Sequence, residues 1–520
     1  MQESLNAKVW LILSAVSALI FLLNIDYTAV NLALVSISEE VPADLNTFQW
    51  LLSGYVLTWA AFVVPAGRFA DRVGKRKMIL IGVSLFIAGS ALTGLGYRID
   101  VLIAGRILQG IGAAIFIPPC YGLIFDTMPP KKRSFGMGIL AGVAGFGLAA
   151  GPTCAGYLIY YFSWRWIFYI NIPLGFLAIL AVILFVPKDS SNLKAPKIDP
   201  LGSFLLAAGL GLFMFGLNQI EIWGIRDLKL ISMIAAGVTA LILFWLFDRK
   251  QKNQTMPRHF FQNKPFMSAL LAVTLNVYNF SLILVMMGLY LQNTLHYSGY
   301  DAGLIFLAMT LAIGLLSPIG GKLGDKVDIR YPIIAGFLCL ALSTFLMSLL
   351  NESSSVITIL SALLFAGIGL GLSWPTLNAS MMRAVEPHEI NTASALFTMA
   401  TMVANTLGVI VSTSLVVVFG QRKLTTLLNE HSIILNEEQH TVLFSAINQV
   451  EHTAKQLIGL PENLVPKLLT FLDASFVYGL TRDMWIGSVL ALIGCVLIFH
   501  GLKNLKSTSK TDSDVPIIMT

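Results

Sequence analysis

Asp26 and Arg106 are ionisable side chains set inside long apolar segments, Asn24-Ile25-Asp26-Tyr27-Thr28-Ala29-Val30-Asn31 and Leu102-Ile103-Ala104-Gly105-Arg106-Ile107-Leu108-Gln109-Gly110. A carboxylate at the centre of an apolar helix costs about 2.5–3.5 kcal/mol to insert into a membrane, so it should face protein or a water-filled cavity. Desolvation raises a carboxyl pKa, while a nearby cation or entering solvent lowers it. A carboxylate that alternates between such surroundings can take up and release a proton. The plainer readings are a carboxylate exposed near a helix end and an arginine that serves as a structural bridge.

A second set of residues points to a moving scaffold. Gly67-Arg68-Phe69-Ala70-Asp71-Arg72-Val73-Gly74-Lys75-Arg76 recurs in weaker form as Gly321-Lys322-Leu323-Gly324-Asp325-Lys326-Val327-Asp328-Ile329-Arg330, at a shift of 254 residues. Gly110, Gly112, Pro118 and Gly151 match Gly367, Gly369, Pro375 and Gly408, at a shift of 257. Landmarks that hold nearly one offset indicate a duplicated membrane bundle, the usual build of a secondary transporter. In the loop, Gly67 and Gly74 allow close backbone approach, Asp71 can receive a helix N-terminus or a cation, and Arg72 and Arg76 can bridge to acids on other helices. The repeat position of Arg106 is Leu363. The cation is therefore not needed by the fold common to both halves, which favours a role in coupling over packing.

The elements that must position these groups follow from composition. A chain of 520 residues with 56% hydrophobic and 12% charged residues is a polytopic membrane protein. About fourteen continuous apolar stretches are long enough to span a bilayer as helices, and their lack of alternation excludes barrel strands. Lys75, Arg76 and Lys77, then Lys131, Lys132 and Arg133, then Lys188, Lys194 and Lys197, then Arg249, Lys250 and Lys252 all follow even-numbered segments. By the positive-inside rule both termini are cytoplasmic, and the basic balance needs no nucleic-acid partner. The first segment reads as a retained helix rather than a cleaved signal. Cys120, Cys154, Cys339 and Cys495 show no CxxC spacing, and no pair of intramembrane histidines is present. No metal site, cofactor or enzymatic constellation is expected.

Several strings resemble the major facilitator superfamily, and within it the fourteen-helix drug:proton antiporters. The loop at 67–77 is similar to GxLaDrxGrk, the segment around Asp26 to LDxTvvNvAL, and the segment from Arg106 to RxxqGxgaa. Gly147, Gly151, Pro152 and Gly156 resemble the exporter motif gxxxGPxxGG, with Ala155 in place of one glycine, and Trp164-Arg165-Trp166-Ile167-Phe168-Tyr169-Ile170-Asn171-Ile172-Pro173-Leu174-Gly175 resembles WRWiFxiNxPxG. The resemblance implies an all-α fold of two six-helix bundles plus two extra linking helices, alternating between inward-open and outward-open states. It also implies a proton gradient as energy source, proton coupling at Asp26 and Arg106, and a conformational-switch loop around Asp71 with a second copy at Asp325. The aromatic string reads as an interfacial anchor at the start of the sixth span.

The expected units are an N-terminal bundle at 1–190, linking helices at 191–265, five helices at 266–420, an outer amphipathic hairpin at 421–481, a last span at 482–505 and a cytoplasmic tail at 506–520. The stretch from Asp248 to Lys264 reads as a polar surface linker. Tyr55, Trp59, Tyr121, Asn276, Asn279, Trp374, Asn378, Met402 and Asn405 are candidate cavity residues, because aromatic, methionine and amide groups suit varied amphipathic ligands. No acid is expected at mid depth beyond residue 266, which disfavours dicationic substrates. The implied function is export of amphipathic drugs across the cytoplasmic membrane, in contact with lipid. A dedicated exporter of a metabolite such as a siderophore is the nearest alternative, followed by a sensor or scaffold. In a host with two membranes, the outer hairpin could dock a periplasmic adaptor leading to an outer-membrane channel.

Overall fold

The computed structural model describes residues 5–41, 43, 45–188, 199–223, 227–251, 254–433, 435–446 and 464–503. Among the described residues fourteen spans, the sixth Trp166–Phe185, are long and apolar enough to cross a membrane, and each is built on one long helix. These helices are α1 (Ala7–Glu40), α2 (Leu45–Val73), α3 (Lys75–Leu95), α4 (Ile99–Thr127), α5 (Arg133–Tyr161), α6 (Asn171–Phe185), α7 (Pro200–Asn218), α8 (Leu228–Asp248), α9 (Lys264–Leu289), α10 (Gly299–Lys326), α11 (Arg330–Met347), α12 (Val356–Arg383), α13 (Ile390–Glu430) and α14 (Val465–Gly501). No strand occurs among the described residues. Polar residues start many of these helices by accepting a free backbone N–H: Asn6, Asp199, Asp227, Asn263, Ser298 and Ser355. Pro65, Pro118, Pro119, Pro318 and Pro375 lie inside helices, where a packed bundle tolerates the lost hydrogen bond.

The duplication is visible in the packing. In the first half α1 packs on α5 and α6, α4 on α2 and α3, and α3 on α6; in the second, α9 packs on α13 and α14, α12 on α10 and α11, and α11 on α14. The halves meet along two equivalent seams, α5 against α10 and α13 against α2. Glycines set how close these seams come. A Cβ on Gly142 would lie 2.7 Å from the Gly314 carbonyl, and one on Gly67 would lie 2.7 Å from the Asn391 carbonyl.

The two extra helices pair with each other, and α7 also lies on α2. Ser53 donates to Asn218 at 2.8 Å, and the Trp50 and Phe215 rings stack at 5.1 Å. The polar stretch after α8 is less superficial than its composition implies. Asp248 accepts from Thr255 N at 2.6 Å, Phe260 is fully buried, Asn263 Nδ2 donates to the Ala384 carbonyl at 2.6 Å, and Arg68 donates to the Gln254 carbonyl. The segment ties both halves together.

At the opposite end, the expected boundaries at 420 and 482 fall inside α13 and α14. The arms read from sequence as a separate hairpin are extensions of these two membrane helices. Their leucines, with those of the short helix Glu437–Ala446, form a small core of Leu424, Leu428, Leu443, Leu468 and Leu472. The rest of that hairpin, at 447–463, and the tail at 506–520 lie outside the described residues.

Candidate functional site

Asp26 sits in the interior of the first half, fully buried, with α4 and α6 supplying its partners and α3 supporting them through Ser90. Its Oδ2 accepts from Arg106 Nη1 at 2.7 Å, and its Oδ1 accepts from Asn171 Nδ2 at 2.7 Å and Gln109 Nε2 at 3.1 Å. Arg106 is 1% exposed. Its Nε donates to the Leu51 carbonyl at 2.9 Å, its Nη1 also reaches Gln109 Oε1 at 2.9 Å, and its guanidinium carbon lies 4.2 Å from the centre of the Tyr55 ring. Ser90 accepts from Gln109 at 2.7 Å and Asn171 at 3.2 Å. The result is a buried ion pair whose acceptors are saturated, the condition under which such a pair is tolerated.

Gln109, Asn171 and Ser90 were not singled out by sequence reading. The signal was present, since each is a polar residue in an apolar segment and Gln109 lies one helical turn beyond Arg106. Asn171 was obscured because its aromatic string reads as a membrane-surface anchor. Within that string Trp164 is buried, with Arg165 over its ring at 4.3 Å, while Trp166 is 46% exposed. Arg165 also pairs with Glu40 and holds that carboxyl below its usual range.

At the end where the basic loops gather, both copies of the repeated loop cap a helix of the other half. Asp71 accepts from Asn391 N at 3.2 Å and Nδ2 at 2.7 Å, and from Thr392 N at 3.1 Å and Oγ1 at 2.5 Å, all at the start of α13. Asp325 accepts from Ser134 N at 2.9 Å and Phe135 N at 2.7 Å at the start of α5, and pairs with Arg383 at 2.6 Å. A carboxylate at a helix N-terminus gains from both the free amides and the helix dipole. Gly74 has φ 110°, a conformation that suits glycine. Arg76 donates to the Ile183 carbonyl at 2.8 Å. Arg72 is exposed and forms no ion pair among the described residues; Lys75 instead pairs with Asp126.

The glycine-rich helix α5 has two working faces. Gly138, Gly142 and Gly145 lie on α10, while Gly147 and Gly151 lie on α1. A Cβ at Gly147 would fall 2.9 Å from Asn24 Cβ, and one at Gly151 would overlap Thr28 Oγ1; Pro152 and Gly156 continue the same helix. Gly151→Ala should therefore destabilise the protein by about 1–3 kcal/mol through overpacking, and adding Thr28→Ala, which removes the obstructing hydroxyl, should restore much of the loss. Thermal unfolding of the single and double variants in detergent checks this; equal destabilisation in both would refute the contact.

Between the halves lies a cavity of about 140 Å³, lined by residues that include Tyr27, Trp59, Tyr121, Phe280, Trp374, Phe397, Met402 and Asn405. Tyr55, Asn276, Asn279 and Asn378 do not border it. Tyr55 covers Arg106, Asn276 donates to Ser373 at 2.8 Å, Asn279 donates to the Leu275 carbonyl at 3.0 Å, and Asn378 is 3% exposed. A second cavity of about 400 Å³ lies between α2, α4, α7 and α13 and reaches Arg106, Tyr55 and Asn218. Tyr27 and Asn405 line both cavities and hydrogen-bond to each other. The two cavities are thus neighbours across one polar contact, next in sequence to Asp26.

The second half also holds an acid that the sequence reading placed at a span boundary. Because α14 starts at Val465, Asp483 lies midway along it and is fully buried. With a buried acid in the second half, dicationic substrates are no longer disfavoured on the ground that none is there.

The chain matches the Major Facilitator Superfamily model over residues 16–409. It is 31% identical over 372 residues to the tetracenomycin C resistance and export protein of Streptomyces glaucescens, covering 71% of this chain and 69% of that one. It is 29% identical over 405 residues to the multidrug resistance protein Stp of Mycobacterium tuberculosis, covering 78% and 75%. The fold aligns with the crystal structure of the human organic anion transporter MFSD10 (TETRAN) at a TM-score of 0.61 and 14% identity, over 94% of this chain and 99% of that one.

Proposed function

The chain belongs to the Major Facilitator Superfamily, a membrane transporter and not an enzyme, and from that premise we propose that it is a proton-coupled antiporter exporting amphipathic small molecules by alternating access. The observation that carries the reading is the buried Asp26–Arg106 pair, one residue from Tyr27 in the wall of the central cavity. Proton binding to Asp26 weakens its hold on Arg106, and rearrangement of the pair is transmitted through Tyr55 and Tyr27 to the cavity wall. The basic end is cytoplasmic by the positive-inside rule, which places both termini in the cytoplasm and the protein in the cytoplasmic membrane. The caps at Asp71 and Asp325 then hold the cytoplasmic side closed.

A cavity of about 140 Å³ is smaller than the roughly 300–1,000 Å³ of drug-sized sites. The carrier must open further to load. Its lining is mostly aromatic and aliphatic, so hydrophobic burial supplies affinity while Asn24, Thr398, Thr401 and Asn405 orient polar groups. Trp374→Ala should lower the resistance conferred on an efflux-deficient host by about tenfold for a bulky drug, the equivalent of about 1.4 kcal/mol of lost contact. Growth inhibition assays check this, and undiminished resistance across several drugs would remove Trp374 from the site.

The experiment that tests the proposed function is proton movement in proteoliposomes with an imposed pH gradient, screened with amphipathic drugs. Proton flux that needs substrate supports antiport; no flux with any compound in folded protein overturns it.

A further inference from the structure

The last membrane helix carries a carboxyl group that the mechanism above leaves unused. Asp483 is 0% exposed, and the polar groups it faces are neutral hydroxyls. Three helices pack against α14: α9, α11 and α13. Towards Asp483, α9 presents the Tyr278 phenol and α13 the Ser412 hydroxyl. The charged residues of these helices are remote: Lys264 starts α9, Arg330 starts α11, and Arg422, Lys423 and Glu430 lie at the far end of α13. The neighbouring Arg482 lies over the Tyr478 ring at 5.1 Å, and Asp483 forms no ion pair among the described residues.

An ionised carboxylate left unpaired in a dry interior is so costly that the group neutralises instead. Asp483 is not among the residues lining the two cavities described above, and a proton is the ligand small enough to reach a carboxyl at 0% exposure. We propose that Asp483 is a second proton-binding site, in the C-terminal bundle, that holds a proton in the conformation seen here and releases it when α9 and α13 move apart around it. Both helices also wall the central cavity, through Phe280 on α9 and through Thr401 and Met402 on α13. Widening of the cavity to admit substrate therefore moves the same helices that cover Asp483. The two halves would carry protons at different places: the first at the ion pair on α1, the second at an unpaired acid on α14.

The inference rests on antiport, and the experiment separates the two. Protons moved per substrate are measured from the membrane potential that halts exchange, in proteoliposomes of wild type, Asp26→Asn and Asp483→Asn. Asp483→Asn should retain substrate-driven exchange with the ratio lowered by about one proton. An unchanged ratio overturns the second site and leaves antiport standing, whereas wild type that exchanges no protons overturns both. Should Asp483→Asn fold poorly, the wild type still decides. A hydrophobic carbodiimide, which reacts with protonated carboxyls in apolar surroundings, should modify Asp483 at neutral pH, read by peptide mass spectrometry, and substrate should change the rate of modification. Absence of modification in the folded carrier overturns the proposal.

Discussion

Asp26→Asn should abolish proton-driven export, lowering it by about 100-fold, near the upper end of the coupling that links two sites in one protein, while downhill movement of substrate persists. The amide keeps the shape of the carboxyl group but cannot exchange a proton in this range, so the substrate cavity survives and its energy source does not. Removing one partner of a buried pair costs about 3–5 kcal/mol when the remaining charge is stranded. Here Arg106 retains the Leu51 carbonyl, Gln109 Oε1 and the Tyr55 ring, which places the cost at the lower end and leaves a folded carrier. Counterflow of labelled substrate against proton-driven uptake separates the two activities; retained proton-driven export in Asp26→Asn would end the assignment. Arg106→Lys provides a second arm. Lysine keeps the charge but not the fork that spans Leu51 and Asp26, so coupling should fall with little change in folding.

The protein itself contains a precedent for losing this pair. Gly151 faces Thr28 and the Ile25 carbonyl, and its repeat Gly408 faces Ser281 and the Tyr278 carbonyl. That register aligns Asp26 with Asn279, as the repeat aligns Arg106 with Leu363. Asn279 and Leu363 are both fully buried in the second half. A helix bundle of the same architecture therefore stands with an amide and an alkyl group where the first half has an ion pair. The pair is not a requirement of this packing, which supports the coupling role proposed for it.

The sequence displayed the duplication, the number of spans and the polar groups of the first half because each rests on local pattern: apolar length, repeated glycine–acid–basic order, and an ionisable residue in an apolar run. Asp26 and Arg106 were legible as separate anomalies, and the structure brings them within 2.7 Å of each other. Asn171 was not, because its partner is 145 residues away and it stands in an aromatic string that reads as a surface anchor. Five of the nine cavity candidates, Trp59, Tyr121, Trp374, Met402 and Asn405, border the central cavity. Of the other four, Tyr55 borders the second cavity and the three asparagines do not line the central one; helix rotation cannot be read from runs that are apolar all round. Asp483 was missed for a different reason. A polar stretch precedes it, so hydropathy alone ends the span there, while α14 continues past the apolar window on leucines that pack against α13.

The repeated loop yields the second large effect. Asp71→Asn and Asp325→Asn should each shift the carrier towards a state open at the basic end, and the double variant should do so more than either. Asp71 accepts four hydrogen bonds from the start of α13. Asp325 accepts two from the start of α5 and one from Arg383. Hydrogen bonds to a charged group contribute about 1.5–3 kcal/mol each. Replacing carboxylate with amide keeps some acceptor capacity, so a bias of about 2 kcal/mol per site, some thirtyfold in population, is expected. The two sites lie on different seams, α2 with α13 and α5 with α10, so their effects should add. Both helix caps cross between halves, while the Arg383 bond lies within the second half, so the expected loss is mainly one of conformational balance and not of bundle stability. Spin labels on the exposed positions Arg72 and Pro387, on opposite sides of the first seam, would report it as a longer distance population that grows from wild type to single to double variant. Identical distance distributions in all four proteins would mean that the caps follow the closed state without stabilising it.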